Sequence, residues 1–191
     1  SSRLWFTIAE GIVTEVYYPR IDIPQIRDLG FIIADRQEFW VELRRLGNYR
    51  ISLPKPYVPA VEIVHSHPRF TFTLQVCPSQ RRDVLLLRYR LEGDESLLAY
   101  ALLSARLGGD AENNLASVDK HNGRRVLWSE QGPFGLALMA CQYTGAGAFE
   151  RCSAGYLEAS DGWQDFDRHG RMTWEYDSAG PGAVSLMGEL P

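Results

Sequence analysis

An all-β fold, a large two-sheet antiparallel sandwich, is predicted for this 191-residue chain from three observations. The dominant hydrophobic period is two, turn signals recur at short intervals, and no long amphipathic helical stretch is present. A strand with one face on a core must alternate polar and apolar side chains, and Thr71, Phe72, Thr73, Leu74, Gln75 and Val76 do so without interruption. Turn signals such as Glu10-Gly11, Gly47-Asn48, Gly108-Gly109, Asn122-Gly123 and Gly132-Pro133 cut the chain into roughly a dozen or more short strands. The length allows one well-buried core, so residues 1–191 read as a single domain.

Taken in order, residues 12–17 combine β-branched and aromatic side chains and read as a strand. The stretch from Tyr17 to Asp28 contains Pro19 and Pro24, which cannot donate to a ladder, so it reads as a non-sheet excursion between strands. Residues 54–59 hold three prolines and read as a rigid loop, because strand-like sequence resumes at 60–64. His65-Ser66-His67 places two imidazoles on one face of a strand, a spacing metals use. With Pro68 following and no third ligand nearby, a strand end with exposed rings is expected and no metal. Residues 84–91 and 97–103 are further strands. The segment 97–107 has some helical character, but the turn at Glu92-Gly93-Asp94 favours a hairpin. Asn122-Gly123 reads as a tight hairpin turn because both residues tolerate positive φ. Residues 135–143 and 183–190 complete the strands. Asp161-Gly162-Trp163-Gln164 reads as a helix start, with Asp161 accepting backbone N–H groups and Gln164 reaching back in a capping box.

A net charge of −4 supplies no electrostatic reason to expect nucleic acid or an anionic membrane as partner. No apolar run reaches the length of a membrane-crossing helix. Cys77, Cys141 and Cys152 lack redox or zinc spacing; Cys141 and Cys152 are near enough in sequence to meet, but two reduced, buried thiols are expected. The basic pairs Arg81-Arg82 and Arg124-Arg125 read as solvated strand ends. The aromatic content of 12% suits a sheet and needs no sugar to explain it. The chain begins without Met in strand-like sequence, which reads as a piece of a longer product.

Three stretches go beyond generic strand and turn. Leu4-Trp5-Phe6-Thr7 is followed by Thr14-Glu15-Val16-Tyr17-Tyr18-Pro19-Arg20-Ile21-Asp22-Ile23-Pro24-Gln25-Ile26-Arg27-Asp28-Leu29. Further on come Arg124-Arg125-Val126-Leu127-Trp128-Ser129-Glu130-Gln131-Gly132-Pro133-Phe134, then Ser153-Ala154-Gly155-Tyr156, Ser160 to Phe166, and Gly170 to Tyr176. In this order they resemble the N-terminal domain of bacterial glucoamylases and glucodextranases. The resemblance implies a galactose mutarotase-like super-sandwich, here lacking terminal strands, joined to a downstream catalytic (α/α)6 barrel. It implies a parent of the glucan 1,4-alpha-glucosidase type that releases glucose from non-reducing ends with inversion and needs no cofactor. An exported parent fits, since polymeric glucans lie outside cells. The acid and base would lie in the barrel, so no catalytic residue is expected here.

An inverting glycosidase places two carboxyl groups about 6.5–9.5 Å apart. Asp161, Asp165 and Asp167 could suggest such a pair, but helix capping explains Asp161 without a substrate. The candidates for docking the barrel or touching sugar are Tyr17, Tyr18, Arg20, Asp22, Gln25, Arg27 and Asp28, together with Trp163, Gln164 and Asp165. In the alternative the loop satisfies itself, with Arg20 or Arg27 paired to Asp22 or Asp28. An α-glucan-binding module would use exposed aromatics, for which Tyr17, Tyr18, Tyr57 and Trp163 are candidates. A free-standing mutarotase-like enzyme would need widely spaced histidines with a carboxylate, and His65, His67, His121 and His169 match no such motif. Bared of its barrel, the isolated chain is expected to form homodimers through exposed apolar surface.

Overall fold

The computed structural model describes residues 2–191, which form two layers of antiparallel sheet. The first layer is seven-stranded. Its order is β1 (Trp5–Ala9), β2 (Ile12–Tyr17), β3 (Ile26–Ala34), β9 (Leu98–Ala105), β15 (Val184–Glu189) and β13 (Cys152–Tyr156), with β4 (Trp40–Glu42) added to β3. The second layer is split into two four-stranded sheets. One runs β5 (Tyr49–Ser52), β6 (Val61–His67), β7 (Phe70–Pro78) and β8 (Leu85–Gly93). The other runs β12 (Phe134–Leu138), β11 (Arg124–Gln131), β10 (Asn114–His121) and β14 (Ser178–Gly182). Two short helices, α1 (Leu43–Leu46) and α2 (Gly162–His169), lie in connections.

Strand alternation builds the core. The inward face of β7 buries Phe70, Phe72, Leu74 and Val76, while Thr71, Thr73 and Gln75 stay half-exposed. Across the layers they meet Phe31, Ile33, Ala101 and Leu103, with the Phe31 and Phe72 rings 5.1 Å apart. The split sheet's other half contributes Ala116, Leu127 and Ala179 to the same core. Each large apolar side chain so buried stabilises by about 1.5–3 kcal/mol, which no surface pair approaches. One end is clamped by Arg69, whose guanidinium binds Asp94 at 2.6 Å and Asp35 at 3.2 Å while lying over the Phe39 ring.

The hairpin at Asn122-Gly123 forms as read, with φ of 50° and 77° joining β10 to β11. Four expectations are corrected. Residues 92–94 do not close a hairpin: β8 pairs with β7, whereas β9 enters the other layer between β3 and β15. The apolar run Leu97-Leu98-Ala99-Tyr100-Ala101-Leu102-Leu103 is the reason, because a strand covered on both faces belongs at the centre of a sheet. The strand expected at 135–143 stops at Leu138, and the chain then turns tightly through the Gly145 N–H bond to Gln142. Of the cysteines, Cys152 is buried but Cys141 is exposed, and all three are free. The basic pairs 81–82 and 124–125 are exposed as read, although Arg125 also donates to the Glu150 carbonyl.

The fourth correction concerns His65, which is 1% exposed rather than an open ring at a strand end. Its Nε2–H donates to the Gly11 carbonyl at 2.8 Å, and Nδ1 is buried without a partner. Burial therefore pushes its pKa below the ordinary 6.5. As pH falls through 6.5 the unfolded chain takes up a proton that the folded chain refuses. The stability tied to neutral His65 is thus fully present above 6.5 and is lost as pH falls from there through the folded value. Urea midpoints should drop between pH 7 and 5.5, with a slope from this group of at most about 1.4 kcal/mol per pH unit. His65→Gln should flatten that limb; an unchanged slope contradicts the assignment.

Candidate functional site

Helix α2 lies on the outer face of the seven-stranded sheet, and its sequence explains its place. Asp161 caps it: Oδ1 accepts the Gln164 N–H at 2.9 Å and Oδ2 the Glu158 N–H at 2.5 Å. That second bond comes from the preceding turn, so Asp161 ties helix to turn as well as capping. Gly162 must lack a side chain, since a Cβ there would stand 2.3 Å from the Met187 sulfur of β15. Phe166 is then buried in a satellite core of Ile32, Tyr100 and Met187, with its ring 5.1 Å from that of Tyr100 and 5.6 Å from that of Trp40. The chain after α2 folds back onto Asp165. This carboxylate accepts the N–H groups of Thr173 and Trp174 at 2.6 and 2.7 Å, the Thr173 hydroxyl, and His169 Nδ1 at 2.8 Å.

Beside α2 a groove of about 240 Å³ opens. Its floor is the outward row Asp28, Ser104 and Ser185, adjacent on β3, β9 and β15. Arg27, Glu42, Arg45, Asp161, Trp163 and Gln164 line it further. Trp163 is the hub. Its indole N–H donates to Glu42 at 2.8 Å, the Arg45 guanidinium lies 4.4 Å over its ring, and Arg45 also binds Glu42 at 2.9 Å. Trp40 meets it edge-on at 5.9 Å. Arg44 reaches Asp28 at 3.4 Å and also pairs with Glu10.

The candidate residues are therefore divided among three places. Arg27, Asp28, Trp163 and Gln164 converge on the groove. Tyr18 and Gln25 face a different cleft, between β8 and β12. Arg20 and Asp22 pair with each other at 2.5 Å on an exposed loop tip, and Tyr17 bonds Glu15. The loop is shorter than read, because β2 extends through Tyr17 and β3 begins at Ile26. Two residues are corrected. Asp165 is wholly buried, its four bonds all internal, so it is a latch rather than a contact. Gln25 is 5% exposed; its amide donates to the Tyr18 carbonyl at 2.7 Å and accepts the Gly108 N–H at 3.2 Å. It holds the loop from within. Sequence reasoning missed Glu42, Arg45, Ser104 and Ser185, for which the Arg44-Arg45 pair was the only visible signal.

Chemically the groove is a set of satisfied ion pairs around an aromatic ring. Asp28, Glu42 and Asp161 are each engaged by a cation or by N–H groups, and Glu158 is the lining carboxylate whose side chain has no partner among the described residues. One face of Trp163 is already taken by Arg45. Tryptophan and arginine with a polar rim are what protein–protein hot spots are made of.

Comparison with known proteins adds the context. The family model described as glucodextranase, domain N, matches residues 1–191. A glucoamylase of Clostridium sp. (strain G0005) is 24% identical over 184 residues, covering 93% of this chain and 26% of that protein. A crystal structure of a bacterial glucoamylase complexed with acarbose superposes with a TM-score of 0.88 at 22% identity, over all of this chain and 28% of that one. The chain thus spans about a quarter of the length of these relatives.

Proposed function

The chain belongs to the glucodextranase domain N family, and on that premise we propose that it is the non-catalytic β-sandwich domain of a glucoamylase-type glycoside hydrolase. The parent would hydrolyse α-glucosidic bonds of glucans from non-reducing ends with inversion, on a catalytic (α/α)6 barrel in the remaining polypeptide. The domain's part is to support that barrel and dock on it through the α2 groove. The observation that carries this reading is the Trp163–Arg45–Glu42 cluster. It is an aromatic and a guanidinium tied together through Glu42, on a face where Asp28, Glu42 and Asp161 are committed to structure.

Assays of residues 1–191 and of the longer polypeptide on maltose, soluble starch and dextran test it. Glucose should appear only with the longer polypeptide, initially as the β-anomer. Glucose released by purified 1–191 contradicts the proposal. Affinity electrophoresis in soluble starch addresses the α-glucan-binding alternative: unshifted mobility is expected, and retardation would support a binding module instead.

A further inference from the structure

Beside its satisfied ion pairs, the α2 groove holds polar side chains that nothing in the domain uses. Arg27, Glu158 and the Gln164 amide line it with no hydrogen-bond or ion-pair partner among the described residues, and so does the Ser104 hydroxyl on its floor. Ser104 is only 4% exposed, whereas the neighbouring Ser185 hydroxyl is bonded to the Leu103 carbonyl. Polar groups set so deep are normally paired, so a free hydroxyl at that depth points to a group from outside. Asp28, Glu42 and Asp161, by contrast, are committed to Arg44, to Arg45 and Trp163, and to backbone N–H groups.

Each of the two free charges is delivered by a backbone irregularity. Successive residues of a strand point to opposite faces, yet Arg27 and Asp28 both line the groove. The register against β9 slips between Ile26 and Asp28, which leaves Arg27 as the extra residue of a β-bulge. Both therefore face outward while Ile26 and Leu29 stay in the core. Ser104 is the β9 partner of Asp28, so Arg27 and Ser104 are neighbours across the ladder. Glu158 holds a φ of 62° in the turn before α2, where glycine would sit without strain. Its N–H is spent on Asp161, and its carboxylate is left free. The two charges are opposite in sign and share one groove of about 240 Å³, but they do not pair with each other. Irregular backbone kept for side chains that make no internal contact marks a surface shaped for something beyond the domain.

We propose that the segment of the catalytic part that docks in this groove presents a carboxylate to Arg27 and Ser104 and a cationic side chain to Glu158. The inference rests on the docking proposed above and adds its chemical register. A guanidinium beside a hydroxyl supplies convergent N–H and O–H donors, the set a carboxylate accepts from. A free carboxylate elsewhere in the same groove fixes the orientation, because the reversed segment would meet like charge at both places. The relatives carry about three quarters of their length outside the matched segment, and that polypeptide is the source of both groups.

Oxidation of Trp163 by hydroxyl radicals, relative to Trp5, reads docking in the longer polypeptide without reference to activity. Arg27→Glu and Glu158→Arg should each raise that ratio severalfold, toward its value in residues 1–191. Arg27→Lys and Glu158→Asp keep the charges and should retain much of the protection. The urea midpoint of 1–191 should be nearly unchanged throughout, since neither side chain has a partner there to lose. Trp163 protected in the unmodified longer polypeptide and equally protected in both reversals overturns this inference and leaves docking standing. Trp163 unprotected in the unmodified longer polypeptide removes docking, and this inference with it. Reversals that markedly lower the midpoint of 1–191 make the two charges structural and overturn it too.

Discussion

Asp165→Ala should cost residues 1–191 about 3–5 kcal/mol of stability, read as a drop in urea midpoint at pH 7. Asp165 is completely buried, and one of its oxygens, Oδ2, accepts both the Thr173 and Trp174 N–H groups. Alanine leaves those two donors without their carboxylate partner, at about 1–3 kcal/mol each, and frees the 170–174 segment from α2. Asp165→Asn separates this latch from a charge effect. The amide oxygen can keep both N–H bonds while its NH₂ donates to the Thr173 hydroxyl and to His169 Nδ1 in the other tautomer. It should therefore cost no more than about 1 kcal/mol. If Asn is as damaging as Ala, the negative charge itself matters and the latch account is wrong. If Ala is neutral, Asp165 does not hold α2.

Arg45→Glu should separate folding from docking. In residues 1–191 the Arg45 side chain is 68% exposed, and its pair with Glu42 is a surface pair worth about 0.2–1 kcal/mol, so the isolated domain should tolerate the change. In the longer polypeptide the same substitution sets a second carboxylate beside Glu42 at a contact centre, where truncating one anchor commonly costs at least about 2 kcal/mol. The expected result is a longer polypeptide whose domain melts separately and whose activity is less heat-resistant, with 1–191 destabilised by no more than about 1 kcal/mol. Equal, small effects in both would remove the groove from the interface.

Much of this architecture was legible in sequence because period two reports which face of a strand is covered. The alternation of residues 71–76 gave β7 its inner face, and Asn122-Gly123 gave a hairpin its turn. Asp161 was legible as a cap because capping is local, with donor and acceptor three residues apart. What period two cannot say is which sheet a strand joins, so β8 and β9 were read as a hairpin when they lie in different layers. Asp165 looked like a solvent-facing helical carboxylate, since only the return of residues 173 and 174 over it reveals a buried acceptor. The groove was half visible. Trp163 and Arg27 stood out singly, but Trp163 meets Glu42 across 121 residues, and only tertiary folding brings them together.

Hydroxyl-radical footprinting of Trp163, in residues 1–191 and in the longer polypeptide, tests the docking role most directly. Trp5, 40% exposed at the far edge of the same sheet, is the internal reference. Docking of a catalytic barrel on the α2 groove predicts that oxidation of Trp163 falls severalfold relative to Trp5 once the rest of the polypeptide is present. A Trp163-to-Trp5 ratio that is the same in both contradicts it.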